Sequence, residues 1–174
     1  MKLRQISTTV LLSALLLTQQ NGWSQETKKE LTSISMGQLK KILGELNYKY
    51  QNAPVGFLVK LAKPGDNKVT YDVFIESFDG GQAVVIGANF LTLEIAEDNA
   101  ADAARLLKKV NDWNAGAALS RGMRRPQMNM KGQQVFIPRL EADLDCSMGV
   151  TAQDVNRLIQ RFATSLKDFE AFVK

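Results

Sequence analysis

The chain has 174 residues, of which 22 are basic and 18 acidic, and none is histidine. The absence of histidine excludes serine or cysteine catalysis with a histidine base, histidine zinc sites and histidine-based pH switching. The formal net charge of +4 is small for a nucleic-acid-binding protein, and we expect no nucleic acid as a partner.

The N-terminus has the pattern of a cleavable secretory signal. Lys2 and Arg4 precede an apolar stretch at residues 8–18, and Gly22 and Ser24 supply the small residues that a signal peptidase requires. The stretch is shorter than the roughly 20 residues that span a bilayer, so we expect no transmembrane anchor after cleavage. We predict periplasmic or secreted protein, with a signal peptide at residues 1–24, a disordered leader at 25–32 and a single domain at 33–174.

The first half of the domain predicts one helix and an antiparallel meander. Ser35 can cap the helix together with Gln38, and an apolar stripe continues to its predicted end near Asn47. Alternation of polar and apolar residues then predicts three strands, and their connections are too short for crossover helices. The predicted strands are residues 57–61, 69–77 and 82–89. Residues 90–97 are ambiguous between strand and loop.

The second half predicts a helix, a hairpin and a last helix. The helix covers residues 99–114, and the hairpin has arms at 121–128 and 134–145 that turn around Lys131 and Gly132. Thr151 and Asp154 can cap the last helix, which carries a continuous apolar stripe. The order α-β-β-β-α-β-β-α predicts an α+β fold, with an antiparallel sheet of about five strands and three helices packed on it.

Some residues within these elements have specific expectations. Apolar positions on the second helix are expected to face the core, and Asn114 is expected at its C-terminus, where asparagine tolerates left-handed geometry. These positions are Ala103, Leu106, Leu107, Val110 and Trp113. Pro126 and Pro138 lack the backbone donor that a strand ladder uses, so we expect irregular or edge pairing at both. Cys146 is the only cysteine; the sequence favours a buried thiol and leaves an exposed one open.

Three carboxylates share one face of the last predicted strand, namely Glu141, Asp143 and Asp145. One interpretation is a divalent-cation site, which would allow a metal-dependent hydrolase. The other is charge balance with basic residues of the partner arm, such as Arg121, Arg124 or Lys131. Alternate residues on a strand lie about 6.6 Å apart, so only two carboxylates reach a common ion. We therefore favour charge balance and expect no metal and no cofactor.

The densest basic segment of the domain contains Arg121, Arg124 and Arg125. Such a segment can bind an acidic partner, or it can neutralise the acidic strand beside it. We take these three arginines as the candidate partner-binding residues.

Three segments together resemble the YbjN family, which carries the label of bacterial sensory transduction regulator. They are the run from Leu106 to Asn114, the hairpin end from Leu140 to Asp145, and Gly149-Val150-Thr151 opening the last helix. The resemblance implies a sandwich fold similar to type III secretion chaperones, which commonly dimerise and hold polypeptide partners. It supplies no catalytic residue. We therefore expect a non-enzymatic binding or chaperone-like protein with a polypeptide partner, a homodimer as one option, and a regulatory role suggested by the family label.

Overall fold

The computed structural model describes residues 30–117 and 119–174, so the predicted signal peptide lies outside the described residues, as does the leader up to residue 29. The end of the leader is described, and Leu31 forms an antiparallel bridge with Val150. The described elements are α1 (Met36–Glu45), β1 (Tyr50–Asn52), β2 (Phe57–Lys63), β3 (Asp66–Phe78), β4 (Ala83–Asn89), β5 (Ile95–Ala96), α2 (Ala100–Gly116), β6 (Arg121–Met128), β7 (Gln134–Asp145) and α3 (Ala152–Val173).

The seven strands form one antiparallel sheet in the order β1-β2-β3-β4-β7-β5, and β6 pairs with β7 as well. The α+β class, the three helices and the antiparallel sheet are therefore as predicted. The sheet has two more strands than the five expected, and both are very short. β1 has three residues and β5 has two, which is too few to show an alternating pattern in the sequence.

The three helices pack on one face of the sheet. The sulfur of Met36 in α1 accepts the backbone N–H of Ser77 in β3, and the ring of Phe169 in α3 lies over Gly122 in β6. Side chains alternate between the two faces of a strand. Glu76, which precedes Ser77, and Arg121, which precedes Gly122, therefore point to the opposite face. No helix of the described residues covers that opposite face. The fold is therefore a two-layer sandwich with one open side.

The core lies between the helices and the sheet and is centred on α3. Phe162 and Phe169 are its largest fully buried side chains. The ring of Phe169 contacts Phe90 and Trp113, with centroids 5.4 and 5.1 Å away. A Cβ atom at position 122 would lie 2.7 Å from the Phe169 ring, so glycine is what allows α3 to approach the sheet here.

Two of the five positions of α2 that were predicted to face the core are not fully buried. Ala103, Leu106 and Val110 are buried, but Leu107 is 40% exposed and Trp113 is only half-buried. The physical reason is that α2 packs over the outermost part of the sheet, mainly on β6, so only a narrow stripe of the helix is covered. The indole N–H of Trp113 donates to the Ser120 carbonyl.

Asn114 does not end α2, which continues to Gly116. Its side chain instead binds the backbone of Gly122, whose N–H donates to Oδ1 at 2.7 Å and whose carbonyl accepts from Nδ2 at 2.9 Å. These backbone groups lie on the edge of β6 that faces away from β7, the strand with which β6 pairs among the described residues. Asn114 thus closes part of a free sheet edge, and Pro126 lies on the same edge strand, as its missing donor predicts.

We expect Asn114→Ala to lower the free energy of unfolding by about 1–2 kcal/mol, because two hydrogen bonds to one strand edge are lost. Urea denaturation measures the change. Asn111→Ala on the same helix is the control; the side chain of Asn111 is exposed and, unlike that of Asn114, makes no hydrogen bond among the described residues, so its loss should stay within about 0.5 kcal/mol. Equal effects of the two substitutions would contradict this role of Asn114.

Glu170 ties the end of α3 to the sheet. Its carboxylate accepts from Lys63 at 2.8 Å, from Tyr71 at 2.7 Å and from Lys174 at 2.7 Å. Burial alone would raise the pKa of this carboxyl, but the hydrogen bonds from Lys174, Lys63 and Tyr71 outweigh it and lower the pKa to about 2. Burial and the hydrogen bond to Glu170 raise the pKa of the Tyr71 hydroxyl.

A depressed carboxyl pKa stabilises the fold above the unfolded-state value and loses that contribution as pH falls. We therefore expect the contribution of Glu170 to be complete above its ordinary pKa of 4.5 and to disappear as pH falls towards 2. Glu170→Gln should cost about 2 kcal/mol at pH 7 and much less at pH 2.5, by urea denaturation at each pH. Glu45→Gln is the control, because Glu45 is exposed and its ion-pair partner among the described residues is Lys41, which is exposed as well. An equal cost at both pH values would contradict the assignment.

Among the described residues, no helix combines the length and the apolar composition that crossing a membrane requires.

Candidate functional site

The open face of the sheet forms a trough between two walls. One wall is the β1–β2 connection, with Pro54 and Val55, and the other is β6, with Arg121, Arg125 and Gln127. Two adjoining cavities of about 460 and 600 Å³ make up the trough, and both are lined by Arg125 of the wall and by Glu76 and Arg139 of the floor. We refer to these two cavities together as the trough.

The trough is long and has exposed apolar side chains in its lining. From Arg121 to Gln127 its β6 wall covers six residue steps, or about 20 Å of extended chain. Phe78 lines one of the two cavities and is 60% exposed, and Val55 lines the other and is 65% exposed. Such a shape and surface suit a segment of extended polypeptide better than a small enclosed ligand.

Arg139 lies in the floor, and only 9% of its side chain is exposed. Its Nε donates to the Glu141 carboxylate, and its Nη1 donates to the side-chain oxygen of Asn89 at 3.2 Å. A Cβ atom at position 87 would lie 2.8 Å from Nη2, so Gly87 leaves the space in which the guanidinium lies. The orientation of Arg139 is therefore fixed before any ligand arrives.

The three predicted partner-binding arginines lie on two different faces. Arg121 and Arg125 line the trough. Arg124 lies on the helix side, where its guanidinium stacks 4.2 Å from the Phe136 ring centroid and approaches the Ala103 carbonyl at 3.5 Å. Strand alternation is the physical reason, because positions 121 and 125 share a face and 124 does not. Arg124 is therefore not part of the candidate site.

The three carboxylates of β7 each have a separate partner. Glu141 pairs with Arg139, and Asp143 pairs with Arg121 across the hairpin at 3.4 Å. Asp145 accepts from the backbone N–H of Ser147, which lowers the pKa of the Asp145 carboxyl. Within residues 30–117 and 119–174, no group of three or more carboxylate, cysteine or histidine side chains could hold a metal ion. This arrangement favours the charge-balance interpretation, with Arg121 supplying the cross-strand charge.

Two charges of the trough remain without an opposite partner. Over the part of the chain that is described, Arg125 and Glu76 form no salt bridge. They belong to different strands, β6 and β3, and both line the two cavities. Their charges are therefore available to a bound partner.

Cys146 takes no part in the trough. It is fully buried in the core, and burial, followed by the charge of Asp145, raises the pKa of its thiol. A raised pKa keeps the thiol protonated, so Cys146 acts as a small apolar core residue rather than a reactive one.

Sequence reasoning missed Arg139, Glu76 and Gly87. One signal was available, because Arg139 is a charged residue within an otherwise apolar stretch of the predicted strand. Its fixed orientation depends on Asn89 and Gly87, which are about 50 residues away in sequence and adjacent only through the β4–β7 pairing.

No protein-family model and no curated protein sequence matches this chain. The chain is similar in structure to a crystal structure of YbjN from E. coli, which is described as a candidate transcription regulator. The TM-score is 0.55 at 14% sequence identity, and the match covers 81% of this chain and 93% of that chain. At this identity the likeness shows the fold alone. It confirms that the fold is YbjN-like, as the sequence resemblance predicted.

Proposed function

We propose that this chain is an exported, non-catalytic polypeptide-binding module and that the trough is its binding surface. The observation that carries the proposal is the open sheet face, which combines a length of about 20 Å, exposed apolar side chains and the charge of Arg125, which has no ion-pair partner among the described residues. A surface of this kind can hold an extended segment through apolar contacts and a few charged hydrogen bonds.

One feature supports the non-catalytic part of the proposal. The chain has no histidine, the side chain that most often acts as a general acid or base near neutral pH. If the chain has a regulatory role, as the description of the E. coli protein would suggest, we propose that it acts through its polypeptide partner.

The proposal of export rests on the N-terminal sequence and has its own test. We expect signal peptidase to cleave after Ser24, because Gly22 and Ser24 are the small residues at the required positions. Mass spectrometry of protein from the exported fraction should find an N-terminus at Gln25 or within a few residues of it. Full-length protein confined to the cytoplasm would contradict export.

Affinity capture with two matched variants tests the proposed function. Phe78→Asp places a negative charge in the lining of the trough, and Leu107→Asp places the same charge on the exposed surface of α2. We expect the purified wild-type domain and Leu107→Asp to retain the same polypeptides from an exported-protein fraction, and Phe78→Asp to lose them. Thermal unfolding of both variants checks that each is folded. Equal capture by both variants would contradict the trough as the binding surface.

A further inference from the structure

The residues in the floor and wall of the trough determine which charge on a bound segment it prefers. This inference rests on the proposed function. Arg139 uses Nε and Nη1 for Glu141 and Asn89. Its Nη2 has no acceptor among the described residues. In the same part of the chain no buried side-chain nitrogen or oxygen lacks a hydrogen-bond partner, so Nη2 is not sealed in the protein and is accessible from the trough.

Arg125 lies close to this group. In the β6–β7 register Met123 is opposite Arg139 and Arg125 is opposite Ile137, so Arg125 is the diagonal neighbour of Arg139. Diagonal neighbours are about 7–8 Å apart at the backbone, which is within reach of two long side chains. Both side chains line both cavities of the trough. Two guanidinium groups with unused N–H donors therefore face the same space.

We propose that the trough binds an extended polypeptide segment that carries an acidic side chain, whose carboxylate is held between the guanidinium groups of Arg125 and Arg139. Guanidinium groups bind carboxylates through short, charge-assisted and often paired hydrogen bonds. Arg139 is oriented in advance by its partners, so little conformational entropy is lost when it binds. Apolar side chains of the segment contact Phe78 and Val55, each of which lines one of the two cavities.

The charge of Glu76 allows a test of whether the trough prefers an acidic or a basic segment. Its carboxylate lines both cavities and forms no ion pair among the described residues, so it repels an acidic segment. Removing that charge should strengthen the binding of an acidic segment. It should weaken the binding of a basic segment, or of a second copy of this chain that pairs its own Arg125 with Glu76.

The probe is a fluorescein-labelled peptide of eight residues with leucines near both ends and two glutamates at its centre. Peptides with lysine or glutamine in place of glutamate are the comparisons, and fluorescence anisotropy measures the affinities. We expect the glutamate peptide to bind most tightly. Arg125→Gln should weaken it about tenfold and Glu76→Gln should strengthen it a few-fold, as charge-assisted hydrogen bonds predict.

Arg105→Gln is the matched control, since Arg105 is exposed on α2 and pairs with Asp102 on the helix side of the sheet. It should leave the affinity unchanged. Equal binding of all three peptides with no effect of Arg125→Gln would overturn the acidic preference and leave the proposed function standing. Preference for the lysine peptide, or self-association that both trough variants abolish, would also overturn it. Failure to bind any of the peptides would overturn it too, and the capture experiment then judges the proposed function separately.

Discussion

Phe169→Ala is expected to lower the free energy of unfolding by about 3–5 kcal/mol, the usual cost of removing a large aromatic side chain from a core. Phe169 is fully buried and joins α3 to Phe90, to Trp113 and to the sheet at Gly122. The substitution removes the ring from these neighbours and leaves a cavity, whose cost adds to that of the lost apolar burial.

Phe172 provides the control for this prediction. Its ring also contacts Trp113, at a centroid distance of 5.8 Å, but the residue is 43% exposed. Phe172→Ala should cost about 1 kcal/mol or less, because little buried area is lost. Urea denaturation followed by Trp113 fluorescence measures both variants. Similar costs for the two phenylalanines would contradict the central position of Phe169.

Arg139→Ala is expected to cost about 2–4 kcal/mol, because it leaves the Glu141 carboxylate without its partner in a largely buried position. Only 20% of the Glu141 side chain is exposed, so water replaces the guanidinium incompletely. The cost is mainly that of an unpaired charge. Combining Arg139→Met with Glu141→Gln should therefore restore much of the stability that either change alone removes.

Arg121→Ala is the control for Arg139. The pair between Arg121 and Asp143 lies on the same face, but its side chains are 75% and 53% exposed, so its loss should cost less than about 1 kcal/mol. Chemical denaturation of the single and double variants gives the coupling energy between Arg139 and Glu141. A coupling near zero would contradict the account of the trough floor.

The sequence was sufficient for the features that depend on local chemistry. The capping boxes at Ser35 and Thr151 are present, and the apolar stripe predicted for α3 faces the core. Both are decided within a few residues, because a cap needs a partner three positions away and a stripe repeats every three or four. The longer strands were predicted for the same reason; both arms of the β6–β7 hairpin have the predicted bounds, and the ends of the other strands differ from prediction by at most three residues.

The site depended on pairing between distant strands, which the sequence does not show. The basic segment around Arg121 looks like one patch in the sequence, but strand alternation puts Arg124 on the other side of the sheet. The floor of the trough brings Gly87 and Asn89 of β4 next to Arg139 of β7. That register depends on a chain reversal through β5, α2 and β6, so no local pattern could have identified it.

Amide hydrogen exchange of the mature domain, with and without a captured polypeptide, tests most directly whether the trough is the binding surface. The claim predicts slower exchange on binding in β6 and in the β1–β2 connection, which form the walls of the trough. Exchange along the solvent-facing side of α2, around Leu107, should not change. Protection confined to the helices, with the exchange of β6 and the β1–β2 connection unaltered, would contradict the trough as the binding surface.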